Sequence, residues 1–205
     1  PMDIKYADEL GYSIKHIGIT KESDNSVESR VHPMLVSKDN ILSQVHGVMN
    51  AVLVKGERFG SSMFYGHGAG GDATASAVVA NLVEAINFDQ DVDKTNQKII
   101  KSIGTQNKKI KKIDKIETPF YLRIHAEDVS GVMAEITNIL ALEKISIEAV
   151  TQHEPTNTDS LIPIVMITNS IQKSIITNAI KKIENLTHVK QKVCSIRVLQ
   201  FDEKQ

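Results

Sequence analysis

Four glycines fall within six positions, at Gly66, Gly68, Gly70 and Gly71, inside the run Tyr65-Gly66-His67-Gly68-Ala69-Gly70-Gly71-Asp72-Ala73-Thr74. A β-like run over 59–64 leads in, and an alanine-rich apolar run over 75–86 leads out. Strand, glycine loop and helix together bring bare backbone N–H groups to a helix N-terminus, which carries partial positive charge. Glycine also lets a ligand come close to the main chain. The chemistry such a loop permits is contact with the phosphate or nicotinamide part of a dinucleotide. The same spacing equally suits a tight strand-to-helix turn that touches no ligand. A second turn, Glu127-Asp128-Val129-Ser130-Gly131, opens another amphipathic run beginning at Val132-Met133.

Bulk composition narrows the field. The 205 residues leave room for one or two domains, and 41% hydrophobic with 24% charged residues is the ordinary range for a soluble globular chain. A net charge of −1 gives no global attraction to nucleic acid or an anionic membrane. The lone Cys194 excludes a disulfide framework and a cysteine-based zinc cluster. Its alternating, strand-like surroundings predict simple burial. No apolar run nears the ~20 residues of a membrane span, and a reducing, cytoplasmic setting fits. The opening Pro1-Met2-Asp3 runs straight into a helix-like pattern, which predicts a piece of a longer protein.

The elements that would position the two turns read as follows. Residues 3–10 form a short helix with Ile4, Ala7 and Leu10 on one face, capped by Gly11. Alternation predicts strands over 12–20, 27–36, 46–54 and 59–65, with Pro33 at an edge or an end. Ile41 and Leu42 point inward from a loop over 38–44, and Asn50 is expected as a buried amide tying strands together. The four strands are expected to form one antiparallel set feeding the glycine loop. A helix over 75–88 follows, with Ala75, Val78, Val79, Leu82, Val83 and Ile86 packed on a sheet and Asp72 or Thr74 as N-cap.

Residues 91–117 are lysine-rich and poor in aromatics, which reads as a solvated linker rather than a nucleic-acid tail. From 118 the pattern is strand 119–126, helix 132–143, strand 145–152, a polar tip at 155–160, strand 161–168, helix 171–183 and strand 188–201. The order βαββαβ is the ferredoxin-like arrangement. The fold class is therefore α+β: an antiparallel sheet with helices over 1–90, the linker 91–117, and the ferredoxin-like domain 118–205. A free face or edge of that sheet invites a second copy.

Two resemblances cover nearly the whole chain. Val48-Met49-Asn50-Ala51-Val52, the run from Phe64 to Gly71, and Thr74-Ala75-Ser76-Ala77-Val78-Val79 resemble the late catalytic region of homoserine dehydrogenase. Upstream, residues 3–15 and Arg30-Val31-His32-Pro33 match the same family in the same order. Separately, Arg123-Ile124-His125-Ala126-Glu127-Asp128-Val129-Ser130-Gly131-Val132-Met133 resembles the entry to an ACT domain, a small ligand-sensing module.

The resemblance implies a C-terminal and regulatory portion of an NAD(P)-dependent enzyme that interconverts L-aspartate 4-semialdehyde and L-homoserine. The family's dinucleotide fingerprint and its catalytic lysine and acidic residues would lie upstream, so no catalytic residue is assigned here and neither Lys5 nor Lys15 takes that role. The piece alone is expected to be inactive and not to bind the cofactor. No metal ligand is expected. The resemblance implies cofactor contact at Gly68 and Gly70, more weakly at Gly66 and Ala69. His67, where the family carries varied residues or proline, is expected to be exposed. Asp72-Ala73 departs from the proline more usual before the threonine.

In related modules an amino acid binds at an interface between two copies, which points to Asp128, Val129, Ser130, Gly131, Val132 and Met133. Asp128 could bind the effector's ammonium or simply cap the helix. Threonine, as feedback inhibitor, is the effector the family implies. The partners implied are a homo-oligomer and this amino acid, with no nucleic acid and no membrane. The competing reading is a freestanding amino-acid-binding regulator with no catalysis.

Overall fold

The computed structural model describes residues 2–23, 25–88, 108–152 and 161–201, and these divide into two compact units. One unit joins residues 1–39 to 109–205, and the other is residues 40–108. This partition is not the linear one expected from the sequence. The N-terminal stretch packs with the C-terminal module.

The first unit is built on a seven-stranded sheet among the described residues. Helix α1 (Met2–Glu9) precedes a long hairpin of β1 (Tyr12–Ser23) and β2 (Ser26–Ser37). In the second unit, the hairpin β3 (Met49–Gly56) and β4 (Gly60–His67) leads to α2 (Gly71–Phe88). Chain order then returns to the first unit with β5 (Lys109–Ile110), β6 (Glu117–Thr118), β7 (Phe120–Glu127), α3 (Val132–Leu142), β8 (Ile147–Gln152), β9 (Leu161–Thr168), β10 (Ile171–Gln172), α4 (Lys173–Glu184) and β11 (Cys194–Val198). The large sheet runs β1-β2-β11-β7-β9-β8, with β5 against β2. Within it β11-β7-β9-β8 is the all-antiparallel βαββαβ sheet, as the alternation predicts. The two-residue strands β6 and β10 pair with each other.

Period-2 alternation decides the two faces of β7. Phe120, Leu122, Ile124 and Ala126 face Val132, Ile136 and Leu140 of α3 and Ile176, Ala179 and Ile183 of α4 in one core. Tyr121 faces the other way, with Val165, Ile167 and Val198. That second face is covered by the chain's own α1 through Tyr6 and Ala7, with Leu35 of β2 alongside. Of the expected inward face of α1, Ala7 and Leu10 pack on this core as expected, while Ile4 is exposed and Tyr6 takes its place. Gly11, at φ +81, closes the helix as expected.

A polar clamp fixes the helix. The Asp3 carboxylate accepts from Arg123 Nε at 2.6 Å and Arg123 Nη2 at 3.0 Å, and from the Tyr121 hydroxyl at 2.9 Å. The Arg123 bond holds the Asp3 carboxyl below its usual value, against partial burial that pushes it up. A depressed carboxyl stabilises the fold above its unfolded value of about 4 and ceases to do so as pH falls through the folded value. Asp3→Asn should then lower stability by a constant amount from pH 7 to pH 5, and the difference should shrink as pH falls below the unfolded value of about 4. A pH-independent difference in chemical melts would refute the assignment.

The hairpin β1–β2 is stitched to the last strand by a short parallel ladder, Met34 to Arg197 and Leu35 to Val198. The expectation of one four-stranded set from Ile14 to Tyr65 is thus corrected: β1–β2 and β3–β4 lie in different sheets. Pro33 sits inside β2, opposite His16 and one residue before the ladder. Residues 108–117, expected as part of a solvated linker, are exposed except at Lys108 and Ile116, but the segment is anchored to the first unit. Ile116 is buried, and Arg197 Nη1 donates to Thr118 Oγ1 at 2.7 Å, while its Nη2 donates to the Ile113 carbonyl at 3.2 Å. Residues 91–107 and the polar tip at 155–160 lie outside the described residues. No described helix is long and apolar enough to cross a membrane.

Candidate functional site

The glycine turn lies in the second unit. Antiparallel pairing sets Asn50 of β3 opposite Gly66 of β4, and Met49 opposite His67. Gly68 N–H then donates to the Val48 carbonyl at 2.9 Å, so the hairpin's end extends one residue past β4. Gly70 turns the chain at φ +133, a conformation that side chains resist, and α2 starts at Gly71. Neither Asp72 nor Thr74 is the N-cap. Both lie in the first turn, where the Thr74 hydroxyl donates back to the Gly70 carbonyl at 2.9 Å. Asp72 places a carboxylate at the helix N-terminus, where the dipole favours it.

Each glycine has its own reason. A Cβ built on Gly68 would fall 2.0 Å from Asn50 Nδ2, so that side chain lies across the glycine. Asn50 is exposed, which corrects the expectation of a buried amide. At Gly66 a Cβ would meet no atom within 4 Å and the φ is not positive, so packing within the chain does not demand glycine there. That open strip fits close approach by something outside this chain. His67 and Ala69 are exposed beside it, as expected for His67.

Helix α2 forms where predicted but buries nothing of its apolar stripe: Val78, Val79, Leu82, Val83 and Ile86 are all exposed. The hairpin likewise exposes Val52, Phe64 and Tyr65. So much apolar surface on one small unit is the mark of an interaction face. Ile41 is also exposed, in place of pointing inward; Ser43 is the buried residue of that short 3-10 turn over Ile41–Gln44.

The second turn lies in the first unit. Gly131, at φ +98, is the N-cap of α3, with no side chain capping it, so the capping role weighed for Asp128 goes to glycine. Asp128, Val129 and Ser130 are exposed. Val132 enters the core and its N–H donates to the Val129 carbonyl at 3.3 Å, while Met133 packs partly against the core. Glu135 N–H reaches the Gly131 carbonyl, so helix geometry leaves the Met133 and Ala134 N–H groups without an intrahelical acceptor. The strand before the turn is anchored by Glu127. Its carboxylate accepts from His188 Nδ1 at 2.7 Å and pairs with Lys190 at 3.1 Å; these contacts hold its pKa below the usual range.

Cys194 is half-buried in β11, and burial pushes its thiol pKa up, away from reactivity. No group of three or more metal-ligating side chains occurs among the described residues. The structure thus assembles two backbone-rich turns, one in each unit, and no constellation of acid, base and nucleophile among the described side chains. Sequence reasoning missed Asn50's exposed position, and its register opposite Gly66 follows only from the pairing of Gly56 with Gly60, not from a turn at Lys55 to Arg58.

The fold and these turns define an α+β protein with a ferredoxin-like module and a glycine turn at a helix start. Residues 120–187 match the model of the ACT domain, and residues 1–83 match that of homoserine dehydrogenase. The chain belongs to the homoserine dehydrogenase family. It is 38% identical over 202 residues to the homoserine dehydrogenase of Pseudomonas aeruginosa, covering 98% of this chain and 46% of that protein. It is 37% identical to that of Neisseria gonorrhoeae, covering 96% and 45%. A crystal structure of a homoserine dehydrogenase from Thiobacillus denitrificans superposes with a TM-score of 0.82 at 37% identity, covering 97% of this chain and 45% of that one. The chain therefore spans about half the length of the relatives it matches.

Proposed function

We propose that this chain is the C-terminal and regulatory portion of an NAD(P)-dependent homoserine dehydrogenase of the cytoplasm. The parent interconverts L-aspartate 4-semialdehyde and L-homoserine, a step toward threonine, methionine and isoleucine. One observation carries the reading: the chain matches dehydrogenase sequence and then an ACT domain, in that order, across nearly all its length. The exposed stripe on α2 supports it too, because the rest of such an enzyme would supply the cover. A freestanding regulator would leave Val78, Leu82 and Ile86 in water.

NAD(P) supplies the hydride acceptor or donor in the parent. This chain contributes one wall of its site, with Gly66, Gly68, Ala69 and Gly70 bringing bare backbone to the nicotinamide side. The lysine and acidic residues that hold homoserine, and the dinucleotide fingerprint, lie in the parent's preceding half. The 205 residues alone bind no cofactor and catalyse nothing. Homoserine-dependent reduction of NAD or NADP by the purified chain would overturn this.

The ACT module senses an amino acid, threonine by family expectation, at the turn Asp128 to Met133. The unengaged N–H groups of Met133 and Ala134 suit its carboxylate, and Asp128 suits its ammonium. Among the described residues strand β8 is paired only by β9, and it exposes Val150, which suits edge pairing with a second copy. Threonine at a hundred times its Kd should stabilise the folded chain by about 2.7 kcal/mol and raise its Tm. An intact oligomer showing no calorimetric signal at millimolar threonine would remove the effector claim.

A further inference from the structure

We propose that Asn50 adds a side-chain contact to the glycine backbone at this corner of the dinucleotide site, and that its partner there is the carboxamide of the nicotinamide ring. The inference rests on the dehydrogenase reading above and deepens it.

Three observations lead there. First, Gly68 is glycine for an internal reason: the Asn50 amide fills the space a Cβ would take, 2.0 Å from Nδ2 and 2.2 Å from Cγ. Second, the Asn50 side chain is exposed, and no hydrogen bond to another described residue engages its amide. An amide laid across a glycine, with no hydrogen bond among the described residues, is placed for an outside partner. Third, the strip beside it is open, since a Cβ on Gly66, the residue paired with Asn50, would meet nothing within 4 Å.

The chemistry of the strip selects the partner. From Tyr65 to Asp72 there is no lysine or arginine, and Asp72 adds a carboxylate, so no strong cationic side chain is at hand to pair with a phosphate. A planar amide offers one carbonyl acceptor and two N–H donors, and meets another carboxamide with a donor and an acceptor on each side. A neutral nicotinamide carboxamide is the part of the dinucleotide that fits. Gly68 then makes room for that side-chain contact.

The test uses the full-length protein that carries this chain, with NAD(H) or NADP(H), whichever it turns over, and the analogue whose nicotinamide carboxamide is replaced by an acetyl group. Asn50→Ala should lower kcat/KM with the natural cofactor at least about tenfold, the scale of one lost hydrogen bond of roughly 1.4 kcal/mol. With the acetyl analogue, which keeps the carbonyl but lacks the N–H that Asn50 Oδ1 would accept, the loss should be several-fold smaller than with the natural cofactor. Gly68→Ala should be damaging beside Asn50 but tolerated within about threefold in the Asn50→Ala background. Asn50 is exposed, so its removal should leave the Tm unchanged, and melting curves check this. Equal losses with both cofactors, or equal damage from Gly68→Ala in both backgrounds, would overturn the proposal while leaving the dehydrogenase reading standing. A wild-type protein that binds no dinucleotide would overturn both.

Discussion

A chain beginning at Gly11 should be less stable than the full 205 residues by about 3–6 kcal/mol. The loss has two sources. Tyr6 and Ala7 are buried against Tyr121, Val165, Ile167 and Val198, and apolar burial of that kind contributes about 2–4 kcal/mol. The clamp of Asp3 on Arg123 and Tyr121 is half-shielded from water, so it adds only about 1–2 kcal/mol. Urea melts followed by far-UV circular dichroism suit a chain without tryptophan. A change below about 1 kcal/mol would show that α1 merely rests on the sheet. The prediction carries weight because α1 lies in the dehydrogenase match, yet stabilises the ACT sheet.

Leu122→Ala and Leu82→Ala remove the same atoms and should differ sharply. Leu122 is fully buried in the central strand β7, where the deletion costs about 2–5 kcal/mol in transfer energy and cavity. Leu82 is 58% exposed on α2, and its loss should cost less than about 0.5 kcal/mol in this chain. Equal destabilisation by both would mean that α2 is packed in solution and that the exposed stripe is not a docking face.

The βαββαβ module was legible because each of its elements carries a local signature. Alternation marked Phe120 to Ala126, helical spacing marked Ile175 to Ile183, and turn residues separated them. The pairing of β2 with β11 was not legible. Met34 and Arg197 are remote in sequence, and no periodicity in either strand names its neighbour. The short helix α1 was found with Ala7 and Leu10 inward, but Ile4 was placed inward instead of Tyr6, because eight residues give too few turns to rank the two by pattern. The linker's anchored end was missed because lysines dominate it, while the Ile113 and Ile116 carbonyls and the Thr118 hydroxyl accept from an arginine some eighty residues away. At the glycine turn the loop was evident from composition. That Gly68 answers to Asn50 could come only from the side chain's position in space.

The place of β11 in the sheet has a consequence for how the protein is made. It is the last described strand in chain order, yet it lies in the interior, between β2 and β7. While the ribosome is still building the chain, β2 and β7 each present a bare row of amides and carbonyls, and neither can be closed by the other. Completion therefore waits for Cys194 to Val198 to emerge. Until then the nascent chain offers two sticky edges, and that interval is when a chaperone would matter most.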